Sequence, residues 1–150
     1  MNTLTKPGDN LGGLLKIWAV PKAVYSISGT TVTISDDTDV YALYCTPESM
    51  QFSEPQVETP GGIYYNTSVS GFIPGDTEAA LAAINNMADK KYVVIFQDGN
   101  GNYKAAGTGF YPLKLKATLN SGKNVADLAG WEISFAGETI HRAVKVDNPF

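Results

Sequence analysis

The sequence is nearly empty of the residues on which most enzyme chemistry runs. It has one cysteine, Cys45, one histidine, His141, and one arginine, Arg142. A single cysteine excludes an intrachain disulfide and every zinc site built on cysteine pairs. A single histidine means that any Ser/His/Asp or Cys/His machinery would have to use His141, and no G-x-S-x-G turn accompanies it. A single arginine argues against the reading of base edges, which leans on bidentate guanidinium contacts. The lysines form small groups, Lys90-Lys91 and Lys114/Lys116, not a stripe that could track phosphates. No glycine-rich phosphate cradle opens a helix. No apolar run approaches the roughly 18 residues of a membrane span. The opening "MNTLTKPGDNLGG" has no basic segment followed by an apolar one. The expectations are a chain with no cofactor, no catalytic residue, no metal and no membrane partner, made in the cytoplasm.

What is present is material for a β-rich core. At 150 residues, 43% hydrophobic and 17% charged, the chain is long enough to bury one domain. Residues 1–13 are polar and glycine-containing and read as a flexible arm, followed by a single β-rich domain over 14–150. Leu14 to Ile27 is apolar but broken by Pro21, as an edge strand or two short strands would be. "YSISGTTVTIS" alternates across a turn at Ser28-Gly29 and predicts a hairpin. "VYALYC" follows as a strand, with Cys45 as a buried, inert thiol. Residues 46–62 hold Pro47, Pro55, Pro60, Gly61 and Gly62, and read as a long loop or protruding hairpin suited to contacts. "IYYNTSVSGFIP" returns to strand. One helix is expected over about 76–89, capped by Asp76 or Thr77, with Ala80, Leu81, Ile84, Met87 and Ala88 as its apolar stripe. "YPLKLKATLN" places Leu113, Leu115, Ala117 and Leu119 on one face. Trp131, Ile133 and Phe135 alternate in the same way, "AGET" reads as a turn, and "IHRAVKV" as a last strand. The expected fold is mostly β, a sandwich or barrel with one flanking helix.

Two acidic clusters invite a metal reading. Asp98, Asn100 and Asn102 open like a calcium-binding loop, but Tyr103 stands where such a loop needs glycine and Gly109 where it needs a bidentate Glu. A hairpin turn between "YVVIF" and "YKAA" is the better reading, since Asp-Gly and Asn-Gly supply positive φ. Asp36, Asp37 and Asp39 are explained by turn chemistry, with too few ligands to hold calcium well. The aromatic pairs are less easily absorbed. Neighbours on a strand point to opposite faces, so Tyr64-Tyr65 cannot both enter one core. "YVVIF" is apolar on both faces, which requires a second layer or another subunit.

The second half resembles a known kind of protein. The helix pattern is followed by Tyr92 to Gly107 with its "DGNG" turn, then "YPLKL" from Tyr111 to Leu115, then "GWEISFAG" from Gly130 to Gly137. This plan, over roughly residues 60–146, is similar to that of small virion proteins of tailed bacteriophages. The likeness is to tail tube proteins and the ring proteins of the neck, or head–tail connector, with those of gut Bacteroides phages nearest in character. The resemblance implies a β-sandwich or barrel subunit with a flanking helix, assembled in the host cytoplasm into the virion. It further implies a homo-oligomeric ring or tube, hexameric in tail tubes and dodecameric in neck rings, that touches neighbouring virion proteins. DNA would pass through without sequence-specific binding, and a net charge of -4 suits a conduit that must not hold phosphate. The arm, the 46–62 loop, and Leu14, Trp18, Tyr64, Tyr65, Phe110 and Tyr111 are the expected subunit contacts. The alternative is a carbohydrate-binding or adhesin-like β module whose aromatics stack on sugars.

Overall fold

The computed structural model describes residues 12–46, 48–75, 77–124 and 129–150. Nearly all of the arm read at 1–13, and Asp76 as a helix cap, lie outside the described residues. In chain order the strands are β1 (Leu14–Pro21), β2 (Tyr25–Ser28), β3 (Thr31–Ile34), β4 (Tyr41–Leu43), β5 (Gln51–Ser53), β6 (Gln56–Thr59) and β7 (Gly62–Pro74). Then come helix α1 (Glu78–Met87) and strands β8 (Lys91–Asp98), β9 (Tyr103–Ala106), β10 (Leu113–Asn120), β11 (Gly130–Thr139) and β12 (Val144–Val146). The protein is mostly β, with one short helix among the described residues.

Strand β8 organises the rest. Along one edge it pairs with β1, from Leu14 opposite Asp98 to Pro21 opposite Tyr92. Along the other edge β9 pairs with Val94 to Gln97, and β10 takes over at Tyr92 and Lys91. Beyond β1 lies β4, and beyond β9 lies β12. From β10 the sheet continues through β11 to β7, whose far edge carries β6 and β5 in turn. All these pairings are antiparallel. The second half of the sheet folds over the first. Phe52 of β5 meets Phe96 of β8 at 4.6 Å between ring centroids, and Phe135 of β11 meets Tyr92 of β8 edge-on at 6.1 Å. The result is sandwich-like, with Ile17, Val94 and Phe96 facing Val69, Leu115, Ile133 and Phe135.

The continuous apolar run of β8 now has its reason. Tyr92, Val94 and Phe96 point into the sandwich, while Val93 and Ile95 point outward. There they meet Val20, Val146 and Val32, the last from the separate β2–β3 hairpin that covers this outer face. Both faces are therefore covered within one chain. The hairpin pairs Tyr25 with Ile34 and Ile27 with Val32, as the alternation predicts. Its turn falls at Gly29-Thr30, one residue later than expected, with Gly29 at φ 61°.

Helix α1 is capped by Thr77, whose hydroxyl accepts from Ala80 N at 3.1 Å, and Glu78 stands in the first turn. It closes the sandwich with Ile84 and Met87. The stripe is narrower than expected: Leu81 is 42% exposed and Ala88 lies outside the core. The turn at Asp98 is also as read. The Asp98 carboxylate accepts from Asn100 N at 2.9 Å and Asn102 N at 3.0 Å, and Gly101 takes φ 85°. That carboxylate is thus spent on organising its own turn.

Of the two readings of Leu14 to Ile27, two short strands is the one found: β1 ends at Pro21 and β2 follows, and β1 is not an edge strand, since β4 and β8 flank it. In 46–62 the hairpin reading holds for β6 and the start of β7, and the one long loop does not. β5 pairs with Ser68 to Ser70, and β6 forms a hairpin with the start of β7, Pro55 and Pro60 falling between strands instead of inside them. "AGET" is not a turn: β11 runs through it, paired with β7 as far as Thr139 opposite Tyr65. Gly137 serves close packing there, because a Cβ would come within 2.9 Å of the Pro112 carbonyl and 3.0 Å of Leu113 Cδ2. "IHRAVKV" contributes only Val144 to Val146 as strand.

Polar groups inside are few. Thr139 donates to the His141 carbonyl at 2.9 Å, so Thr67, 2.9 Å away and also buried, donates to Thr139. The Tyr92 hydroxyl is buried without a partner among the described residues. Burial, then the charges of Tyr41 and Asp39, push its ionisation from the ordinary 10.0 up to about 12. The folded-state value lies above the unfolded one, so stability from this group is complete below pH 10 and is lost as pH rises through about 12. Tyr92→Phe should therefore stay within about 1 kcal/mol of the parent at pH 7, or exceed it, because no hydrogen bond is lost. It should also lose less stability between pH 9 and 11. Urea unfolding at the three pH values checks this, and a loss above about 2 kcal/mol at pH 7 would show that the hydroxyl has a partner.

Candidate interaction surface

Two surface features stand out, one concave and one projecting. The concave one is a groove of about 690 Å³ between the start of β1 and the chain leaving β4. Local sequence builds it. Gly13, at φ 82°, brings the chain in, and its carbonyl accepts from Gly99 N at 3.1 Å, tying the entry to the β8–β9 turn. A bulge between Leu14 and Lys16 resets the register of β1. On the far wall the chain crosses from one layer to the other after β4, held by Thr46 N donating to Phe72 O at 2.8 Å. Leu14, Ile17, Leu43, Cys45 and Met50 line the groove, while Leu15, 54% exposed, and Tyr44, 72% exposed, stand at its rim. Cys45 and Met50 rest on Gly71, where a Cβ would approach Cys45 Sγ to 2.9 Å. Burial pushes the Cys45 thiol up to about 11, so at neutral pH it is an uncharged apolar wall. Glu48, also in the lining, holds φ 68°, the one positive φ at a non-glycine among the described residues.

The projecting feature is the loop from Gly107 to Pro112. Phe110 at its tip is 93% exposed, and Tyr111 beside it 36%. The loop is braced, not slack. Thr108 N donates to Tyr111 O at 3.1 Å, and Tyr111 N donates to Thr108 Oγ1 at 3.0 Å. Gly107 sits at φ 85°, where a side chain would also crowd Leu113. The backbone that carries Phe110 therefore has less freedom to lose on binding than an unbraced loop would.

The six expected contact residues do not form one patch. Leu14, at 9% exposure, packs in the core and also forms part of the groove wall. Trp18 is half-buried, stacks on Phe150 at 4.6 Å and lies tilted against Tyr103 at 5.9 Å, so much of its surface is used within the chain. Tyr64 and Tyr65 are both half-buried on the β6–β7 hairpin, and the Arg142 guanidinium lies 4.4 Å from the Tyr65 ring centroid. Phe110 and Tyr111 lie together, across β8 from β1 and further along it than Leu14. Sequence reasoning missed Leu15; Glu48 falls within the 46–62 stretch expected to make contacts, and Tyr44 is one of the sequence's clustered tyrosines, beside Tyr41.

The remaining candidates are accounted for by local structure. Asp36 accepts from the hydroxyl of Thr38 at 2.6 Å and from its N–H at 3.0 Å, and these bonds hold its carboxyl below the ordinary range. Asp39 lies 4.0 Å from Lys90. Among the described residues no three acidic, histidine or cysteine side chains converge as metal ligands would. No helix among them is long and apolar enough to cross a membrane. His141 is exposed in the segment after β11, and Cys45 is buried in the core. Comparison with known protein families, curated proteins and solved structures finds no match for this chain.

Arg142 has a structural place. It bridges to Glu54 at 3.4 Å and to Gln56 Oε1 at 3.4 Å, and Ala143 N donates to the same Glu54 carboxylate at 2.9 Å. The segment after β11 is thereby clipped to β5 and β6. Glu54 is the more buried partner, its side chain 15% exposed against 52% for Arg142. Glu54→Ala should cost about 1–2 kcal/mol, since it strands the Ala143 N–H, and Arg142→Ala under about 1 kcal/mol. Urea unfolding of both variants checks the order.

Proposed function

We propose that this protein is a structural subunit of a tailed-bacteriophage virion, assembling with itself into a ring or tube of the tail or head–tail connector through which DNA passes. Neighbouring virion proteins are its other partners, and it performs no catalysis. One observation carries the reading: a single chain bears both an exposed aromatic, Phe110, on a hydrogen-bonded turn and an apolar groove elsewhere. Isolated apolar residues on a surface need no explanation, but a preorganised aromatic anchor and an apolar hollow are what protein interfaces are built from. The likeness of residues 60–146 to phage tube and neck proteins supplies the identity of the assembly. The net charge of -4 suits a channel that DNA must traverse without being held.

Light scattering across a wide concentration range, with negative-stain images of the same fractions, tests this. The expected result is a mass many times 16.0 kDa and closed rings or tubes, with six-fold symmetry pointing to a tail tube and twelve-fold to a neck ring. A monomer at every concentration that is retained on immobilised polysaccharide would overturn the reading in favour of a carbohydrate-binding module.

A further inference from the structure

We propose that Asn100 is a site of spontaneous covalent modification, where loss of its side-chain amide unlocks the β8–β9 turn. The chain holds a single Asn-Gly pair, Asn100-Gly101, and the structure places it at the tip of this turn. Asp98 N donates to Asn102 O at 2.9 Å and Gly101 N to Asp98 O at 3.1 Å, which closes a loop of Gly99, Asn100 and Gly101. Gly101 takes φ 85°, the left-handed residue that such a loop needs. Asn100 and Gly101 are both exposed, and a Cβ on Gly101 would meet nothing within 4 Å. The Gly101 nitrogen is thus unshielded by a side chain of its own, with open space around it.

The reaction needs only water. The Gly101 nitrogen attacks Cγ of Asn100. A C–N bond forms, and the side-chain amide leaves as ammonia with the proton that Gly101 N gives up. The product is a cyclic imide. Water opens it at the Cγ carbonyl to leave aspartate, or at the main-chain carbonyl to leave isoaspartate. The intact turn holds this back. Gly101 N–H is engaged by Asp98 O, and the Asp98 carboxylate accepts from Asn100 N at 2.9 Å and Asn102 N at 3.0 Å. These bonds fix the backbone on both sides of the attacking nitrogen, so it reaches Cγ when the turn opens. Asn120 also lies near a turn, but its side-chain oxygen accepts from Gly122 N at 2.9 Å, and Ser121 after it carries a side chain.

Either product damages the turn. Aspartate at position 100 sets a second carboxylate beside that of Asp98. Isoaspartate lengthens the backbone by a methylene, so the Asp98 carboxylate no longer spans the two amides it bonds. The effect travels, because Gly99 N donates to Gly13 O at 3.1 Å and so ties the turn to the entry of β1. Modification at Asn100 therefore loosens the start of β1 as well as the hairpin, and adds a negative charge to a chain already at -4. It requires no partner and is independent of assembly.

Warm incubation of the purified chain in mildly alkaline buffer, with and without urea, tests this. The tryptic peptide 92–104 carries the whole turn. The expected result is the mass gain of amide-to-acid exchange, located at Asn100 by fragmentation, with methyl label from an isoaspartate methyltransferase on the same peptide. Conversion in urea should be about ten-fold faster or more, since several hydrogen bonds guard the native turn. Asp98→Ala, checked as folded by circular dichroism, should move the native rate toward the rate in urea. Asn100→Gln should abolish both mass gain and label. The converted protein, separated by its added charge, should show faster hydrogen exchange at the Gly99 amide. Absence of conversion at Asn100 in the native chain, equal rates with and without urea, or label without mass gain, which marks isomerised Asp98, would overturn the proposal. Unchanged exchange at Gly99 would overturn the link to β1.

Discussion

Strand β8 must be buried on both of its faces, and the rest of the structure follows from that requirement. Five consecutive residues, Tyr92 to Phe96, are fully or almost fully removed from water. A strand of this kind cannot sit on a sheet with one wet side. The inner face is covered by β7, β10 and β11 folding back across it. The outer face is covered by the β2–β3 hairpin and by Val146 of the last strand. The C-terminal segment thereby becomes part of the fold. Asp147 bonds to Thr30 of the hairpin through both its amide and its carboxylate, and Phe150 stacks on Trp18. The hairpin and the tail hold each other over a face that neither could cover alone.

The same requirement fixes where the sheet can end. Its free edges fall on β4, β12, β5 and β6, each of only three or four residues. Short edge strands present few unpaired backbone groups, which limits edge-to-edge aggregation. Pro55 and Pro60 flank β6, and Arg142 and Glu54 clip the following chain over the same corner. What remains open at the surface is therefore side-chain in character: an apolar hollow and an aromatic tip, with little exposed ladder.

Much of this was legible in the sequence wherever a pattern repeats often enough to have a period. The two-faced burial of "YVVIF", the inward set Trp131, Ile133 and Phe135, the Thr77 cap and the Asp98 turn all depend on local chemistry, and the structure agrees with them. The misses are places where a distant neighbour decides. β5 and β6 are too short to show alternation among their prolines. Gly137 looks like a turn residue until Pro112 and Leu113 are seen to press against it. Leu119 continues the alternation of β10 but is 44% exposed, since the core ends before the strand does. The candidate surface divides in the same way. Phe110 lies in a turn of small residues, and its exposure is a local matter. The burial of Leu14 and the exposure of Tyr44 depend on a bulge in β1 and on β4 being an edge, neither of which leaves a mark in the sequence.

Because the chain covers both faces of β8 itself, its exposed apolar groups are surplus to folding. An obligate oligomer uses its interface as half of a core, and its subunits fold only together. Here the sandwich interior is filled by residues of one chain, and the groove is a shallow extension of that interior, walled by Leu14, Cys45 and Met50, which also pack within it. On the proposed reading, a subunit would therefore fold first and associate afterwards, its contacts adding to a finished structure without completing an unfinished one. Substitutions at Leu14 or Cys45, which pack in the core, would act on folding, while those at the exposed Phe110 or Tyr44 would leave it unchanged.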